Sequence, residues 1–328
     1  MRAVVLHSYG GPDCLTLEQV PVPQANSDQV LIRIHSTALN RADLLQVMGL
    51  YPNPRQADVE IPGLEFAGVV ESIGEQVTMW SVGDRVMGID AGGAYAEYIA
   101  VHERQLLAVP DSVDLADAAA IPEVFLTAWD ALVLQGGLTS GRWALVHAGA
   151  SGVGTAAIQI AKAIGARIAV TCSAGKADLC RQLGADLVID RSPNDWLASA
   201  LAAVPGGFHT VLDVIGGDEV DRNLKAVAVQ GTIVQVGLMG GAATLVNVGM
   251  LLTKRATWIG TTMRSRPLDE KVAVTRRFAI EMLPLFESGQ LRPVIDSQFD
   301  LEHIADAHRH MAANNNAGKI LVRIDSLS

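Results

Sequence analysis

Cysteine is scarce in this chain. Three residues, Cys14, Cys172 and Cys180, are spread over 328 positions with no C-x-x-C pair. That supports neither a disulfide framework nor a thiolate zinc site. Positive charge is also short, because 25 Lys and Arg face 35 Asp and Glu, for a net charge of -10. A general binder of nucleic acid needs a basic face, so none is expected as a partner. No apolar run approaches the length of a membrane span, and Met1-Arg2-Ala3-Val4-Val5 starts a strand instead of a signal peptide. The expectation is a cytoplasmic protein with no membrane partner. Tandem repeats and low-complexity tails are missing too. What is abundant is core: 49% of the residues are hydrophobic, and 328 residues suit two domains better than one.

The most informative stretch is Leu145 to Gly165. A short apolar strand, Trp143 to His147, meets a helix in which Ala156, Ile160, Ala163 and Ile164 recur at helical spacing. The turn between them, Gly149-Ala150-Ser151-Gly152-Val153-Gly154, matches the dinucleotide fingerprint G-x-G-x-x-G at its first and third glycines, with Ser151 at the second. Small residues admit a pyrophosphate close to the backbone, and the amides and positive end of the following helix stabilise its charge. Glycines also simply permit tight turns. The surroundings favour the cofactor reading.

Strand candidates Arg167 to Thr171, Leu187 to Ile189, Thr210 to Val214, Thr232 to Val236 and Thr257 to Thr261 alternate with helical patterns at Lys176 to Leu183, Trp196 to Ala203 and Val220 to Val229. This rhythm predicts a doubly wound parallel sheet with ligands at the carboxyl ends of its strands, where Gly216-Gly217 and Gly237 to Gly241 fall. About 20 residues past the glycine turn an NAD site offers an acid to the ribose. Here the residues are Ser173-Ala174-Gly175-Lys176, and Arg191 follows the third strand. A hydroxyl and two cations suit a 2′-phosphate, so NADPH is the expected cofactor.

The first 120 residues differ in texture. Short alternating strands, Val30 to His35, Val69 to Ile73, Tyr95 to Val101 and Gln105 to Val109, lie between Gly and Pro turns and read as a small β-barrel. Glu123 to Val133 reads as a helix entering the nucleotide domain. Lys271 to Glu287 and Leu301 to Ala313 are helical patterns, and Lys319 to Ile324 supplies a last strand to the barrel. The reacting end of the cofactor is expected in the cleft between domains.

Several motifs, in order along the whole chain, resemble the zinc-independent quinone oxidoreductases of the medium-chain dehydrogenase/reductase superfamily. They are Met1-Arg2-Ala3-Val4, Asn40-Arg41-Ala42-Asp43-Leu44-Leu45, Gly49-Leu50-Tyr51, Gly63-Leu64-Glu65, Val82-Gly83-Asp84-Arg85-Val86, the glycine turn, Gly237-Leu238-Met239-Gly240-Gly241 and Gly318-Lys319-Ile320. The tumour-suppressor-inducible type is the most similar. The resemblance implies an α/β protein with a GroES-like β-barrel catalytic domain at 1–122, completed by 263–328, and a Rossmann NADPH-binding domain at 123–262. Zinc members place a Cys and a His where this chain has Asn40 and Leu64. Neither can supply the thiolate or imidazole ligand, so no metal is expected.

Without a Lewis acid, the easy substrate is an acceptor that already stabilises added electrons, such as a quinone. By resemblance, Tyr51 borders the substrate with its hydroxyl and Asn40 stands beside it as a neutral donor. Thr127 touches the nicotinamide amide, and Gly237, Leu238 and Met239 line its channel. Arg264 and Arg266 either approach the cofactor or face solvent, and Glu65 is a buried structural acid. His303, His308 and His310 read as surface or amphipathic-helix residues. The alternatives to a quinone reductase are an enone or enoyl reductase, with Tyr51 as proton donor, and an NADPH-binding sensor or structural protein with little turnover. Ala242 to Val248 and Thr257 to Thr262 are apolar strand-like stretches where relatives extend their sheets across a twofold axis, so a homodimer is expected.

Overall fold

The computed structural model describes residues 1–54, 59–191 and 195–324. The chain forms two compact units, Met1–Leu126 with Met263–Ser328, and Thr127–Thr262. Residues 325–328, the end of the expected return to the barrel, lie outside the described residues.

Strands dominate the first unit. β1 (Arg2–Leu6) and β2 (Leu15–Gln19) pair as an antiparallel ribbon. β3 (Gln29–Ala38) leads through a short helix, α1 (Arg41–Val47), to β4 (Glu65–Ile73), β5 (Arg85–Ile89), β6 (Tyr98–His102) and β7 (Leu106–Ala108). Inward-facing Val30, Ile32 and Ile34 alternate along β3, and all three are fully buried. Register shifts between Leu31 and Ile32 and between Ile34 and Ser36 mark irregularities in the β3–β4 ladder, the kind of defect that bends a strand and increases its twist. Two more helices follow, α2 (Leu115–Ala118) and α3 (Pro122–Trp129). The helix expected from Glu123 to Val133 is α-helical only to Trp129. A wider π-helical turn, Asp130–Gln135, continues it, with the buried Asp130 carboxylate held by Gln135 Nε2 and the Thr261 hydroxyl.

The second unit holds β8 (Trp143–Val146), α4 (Gly152–Ala163), β9 (Arg167–Cys172), α5 (Ala177–Gln182), β10 (Leu187–Asp190), α6 (Trp196–Ala203), β11 (Phe208–Asp213), α7 (Glu219–Ala226), β12 (Val227–Gln235), α8 (Val248–Lys254) and β13 (Thr257–Gly260). The strands form one parallel sheet in the order β10-β9-β8-β11-β12-β13. That order reverses direction beside β8, which is where doubly wound sheets bind their ligands. α4 is buried from Gly154 to Ala161, as expected for a helix apolar nearly all round.

Two sequence expectations are corrected here. The helix expected over Val220 to Val229 ends at Ala226, because Val227 already pairs with Phe208 as the first residue of β12. A short apolar run does not by itself separate helix from strand. Ala242 to Val248 forms no strand: it is mostly exposed chain that ends where Asn247 caps α8 by accepting from the Gly249 amide.

The chain returns to the first unit through α9 (Leu268–Glu287), β14 (Ile295–Asp300), α10 (Ile304–Ala312) and β15 (Lys319–Arg323). β15 pairs antiparallel with Ser36, Thr37 and Ala38, while β6 takes Gln29 to Arg33 on β3. α10 packs Ile304, Ala307 and Met311 into the same core as Ile32, Phe66 and Tyr95. His308 is on that inner face and fully buried, its Nε2 3.2 Å from the Tyr95 hydroxyl, so of its two expected readings the amphipathic-helix one holds, on the core side, and the surface one does not.

Candidate functional site

At the end of β8 the chain turns sharply. Ala148 takes a left-handed φ of 55°, and the Ser151 amide closes the turn onto its carbonyl. Ser151 is the N-cap of α4, with its hydroxyl accepting the Gly154 amide at 3.1 Å. The hydroxyl keeps its own hydrogen for another acceptor. Gly152 and Val153 open the helix, where amides have no intrahelical acceptor. The glycines have spatial reasons. A Cβ on Gly149 would meet Val170 Cβ at 2.5 Å, and one on Gly154 would run into the carbonyl of Ala148 and come within 2.6 Å of Gly149. Helix and strand therefore approach as closely as their backbones allow, leaving Ala150 buried under the turn and Ser151, Gly152 and Val153 partly open.

A buried polar network with no sequence signature ties the strand ends together beneath this turn. His147 reaches Thr171 Oγ1 at 3.0 Å through Nδ1 and Asn223 Oδ1 at 2.7 Å through Nε2. Asn223 Nδ2 donates to Asp213, which also accepts the amides of Ile215 and Gly216. Gln235 Nε2 donates to the carbonyls of Asp213 and Gly237. The Gly237 to Gly241 segment is drawn onto 213–217 by backbone bonds such as Gly240 N to Ile215 O at 2.7 Å. Leu238 and Met239 are left 53% and 46% exposed at the carboxyl edge of the sheet, a placement that core residues would not take.

At the end of β9, Ser173, Ala174, Gly175 and Lys176 form a single tight turn before α5. The Arg191 amide bonds to the Cys172 carbonyl at 2.9 Å, which brings Arg191 beside Ser173 although the two are 18 positions apart in the chain. In the same unit Thr127 is buried, and its hydroxyl has no hydrogen-bond partner among the described residues. Such a group costs free energy unless something else satisfies it.

The first unit brings together a second set. Lys319, from β15, puts its ammonium 2.7 Å from Glu65 Oε1, 2.8 Å from Asn40 Oδ1 and 2.5 Å from the Leu39 carbonyl. Glu65, at the start of β4, also accepts Asn40 Nδ2 at 2.8 Å and the Glu123 amide at 2.7 Å. Both charged side chains are almost fully buried. Asn40 Nδ2 further donates to Ala38 O, so both hydrogens of its amide are engaged inside this network. Arg264 does not face solvent: it is a buried clamp. It donates to the carbonyls of Ala91 and Tyr51 and to Gln46, and its guanidinium lies 4.9 Å from the centre of the Tyr51 ring. Tyr51 is thereby fixed from behind, with its ring partly exposed.

Among the described residues, no group of three or more His, Cys, Asp or Glu is arranged to hold a metal ion. No described helix is long and apolar enough to cross a membrane. Lys319 and Glu123 were missed as site residues, though the Gly318-Lys319-Ile320 motif carried a signal for the first.

The sequence matches two family models, an alcohol dehydrogenase GroES-like domain over residues 26–111 and a zinc-binding dehydrogenase domain over 152–279. A quinone oxidoreductase of Pseudomonas aeruginosa is 34% identical, covering 98% of this chain and 99% of its own. An NADPH-dependent alkenal/one oxidoreductase of Arabidopsis thaliana is 32% identical, covering 98% of this chain and 79% of its own. The crystal structure of Escherichia coli quinone oxidoreductase complexed with NADPH superposes with a TM-score of 0.89 at 25% identity, over 99% of this chain and all of that one. With that likeness running end to end, through the GroES-like segment and the parallel-sheet unit alike, the chain belongs to the quinone oxidoreductase family of the medium-chain dehydrogenase/reductase superfamily.

Proposed function

We propose that the protein is an NADPH-dependent reductase of quinones and conjugated enones that works without a metal. The observation that carries this reading is the turn after β8, where two glycines have no room for a Cβ and the first amides of α4 lack intrahelical partners. Gly149, Ala150, Ser151, Gly152, Val153 and Gly154 would hold the pyrophosphate. Ser173, Lys176 and Arg191 would hold the 2′-phosphate, and the unpartnered Thr127 hydroxyl would hold the nicotinamide amide beside Gly237, Leu238 and Met239. Residues 123–262 are then the cofactor domain, and 1–122 with 263–328 the catalytic one. Bound NADPH supplies a hydride to an acceptor that can delocalise the added charge.

Tyr51, steadied by Arg264, offers the acceptor an aromatic face and a hydroxyl. Asn40 acts from behind by holding the Lys319–Glu65 pair in place. The names of the relatives support both acceptor classes. The test follows NADPH absorbance with ortho-quinones, para-quinones and small enones, each repeated with NADH. Turnover of enones alone would remove the quinone assignment. Tight NADPH binding with no oxidation across the panel would make the protein a sensor or structural binder.

Replacing Lys176 with Ala should weaken NADPH binding by roughly 10-fold or more, the worth of a charge-assisted hydrogen bond, and leave NADH unchanged. Isothermal titration with both cofactors decides it, and equal weakening would move the phosphate site elsewhere.

The protein is also proposed to form a homodimer. β13 is the edge of the parallel sheet, and its Trp258 is 43% exposed. Leu245, Val248 and Leu252, from the segment before it, are 94%, 61% and 73% exposed. An open strand edge with apolar neighbours is a template for pairing. Light scattering should give twice the chain mass at micromolar concentration, and Trp258→Glu should shift it toward the monomer.

A further inference from the structure

We infer that Glu123 is the acid that delivers a proton to the oxygen of the reduced acceptor, a role that rests on the reductase reading above. Its position makes the case. Glu123 lies in the first turn of α3, and its amide is bonded to Glu65. The two carboxyl groups share one neighbourhood and are treated very differently. Glu65 receives three donors, from Lys319, Asn40 and the Glu123 backbone. The Glu123 carboxyl has no hydrogen-bond partner among the described residues, and part of the residue's surface stays open. One carboxyl is therefore tied down by donors, and the other is held by none. Environments that set two carboxyls apart in this way assign acid and base roles in other enzymes.

Burial above all, with the charges of Glu65, on β4, and Asp43, on α1, raises the Glu123 pKa from 4.5 to about 8, against the opposing charges of Lys319, on β15, and Arg264, just before α9. At neutral pH the group is protonated. The Arg264 guanidinium that feels Glu123 also covers the Tyr51 ring, so the acid belongs to the same corner of the first unit as the proposed acceptor contact. Once a quinone or enone has gained a hydride, its carbonyl oxygen carries the negative charge. The Glu123 O–H bond breaks, an O–H bond forms on that oxygen, and the carboxylate recovers its proton from water. Tyr51 remains free to serve the carbon of an enone.

The test combines three readouts. In wild type, kcat/KM for quinones and enones should fall as pH rises through about 8. Glu123→Gln should lose on the order of 100-fold and abolish that alkaline limb, while Tyr51→Phe keeps it. Infrared spectra of wild type should show the C=O stretch of a neutral carboxylic acid that disappears above the Glu123 pKa. The band should be missing from Glu123→Gln. The third readout is stability. A carboxyl whose folded pKa is raised contributes stability below its unfolded pKa and loses it as pH rises to the folded value. The Tm of Glu123→Gln relative to wild type should therefore climb between pH 4.5 and about 8.

A wild type that turns over with no alkaline limb, or a Gln variant that keeps both rate and limb, would overturn the role. If the variant does not fold, the wild-type pH profile and infrared band still decide it. Failure of the wild type to oxidise NADPH with any acceptor would instead remove the reductase reading, and this role with it.

Discussion

Lys319→Met should destabilise the protein by about 3–5 kcal/mol, the cost of stranding a buried carboxylate whose partner has gone. The ammonium is 3% exposed, and the Glu65 side chain it meets is fully buried. Its removal also leaves the Leu39 carbonyl and the Asn40 oxygen without their donor. A loss of that size is roughly a fifth or more of the stability of a typical domain. Urea unfolding of the single variant, of Glu65→Gln and of the pair measures it. The double variant should recover much of the loss, because neighbouring residues of one network do not add. Arg309→Ala provides the contrast: its ion pairs with Asp13 and Asp306 are exposed, and pairs screened by solvent contribute little to stability. If Lys319→Met costs no more than Arg309→Ala, the ammonium and carboxylate are not held together in a dry interior.

Why the sequence reveals one unit better than the other follows from how each is encoded. The parallel sheet is written locally: each strand is a short apolar run followed by its own helix, and Gly149 and Gly154 sit at a fixed spacing between them. Periodicity is enough to find these. It fails at Val227, where helix passes into strand without a break in apolar character, and at Ala242 to Val248, where composition suggests a strand but no neighbour pairs with it. The Lys319–Glu65–Asn40–Glu123 cluster draws on four segments spread over 280 positions. Lys319 and Glu123, taken alone, resemble ordinary polar surface residues. Only the antiparallel register that sets Leu321 opposite Ala38 brings Lys319 to the start of α1. Which face of its amphipathic helix His308 takes is hidden for the same reason, since its partner is a tyrosine 213 positions away.

Gly154→Ala should uncouple cofactor binding from the rest of the fold. No left-handed φ is involved at this position, so the effect is one of space alone. The added methyl would press on the Ala148 carbonyl and on Gly149, backbone atoms that cannot rotate away. Relief requires α4 to lift from β8, and overpacking of this kind costs about 1–3 kcal/mol. Movement of α4 also carries the amides of Gly152 and Val153 out of position and loosens the cap from Ser151 to Gly154. Affinity for NADPH should fall by roughly 100-fold or more if two charge-assisted hydrogen bonds are lost. NADH should suffer equally, because both cofactors share the pyrophosphate, and this equality distinguishes the variant from Lys176→Ala. Gly206→Ala, in the turn before β11 and outside the proposed cofactor contacts, is the matched control, since a Cβ there meets nothing within 4 Å, and it should bind NADPH as wild type does. Fluorescence titration of both variants, with thermal melts alongside, separates the outcomes. Wild-type affinity in Gly154→Ala would mean that the turn after β8 is not where the phosphates sit.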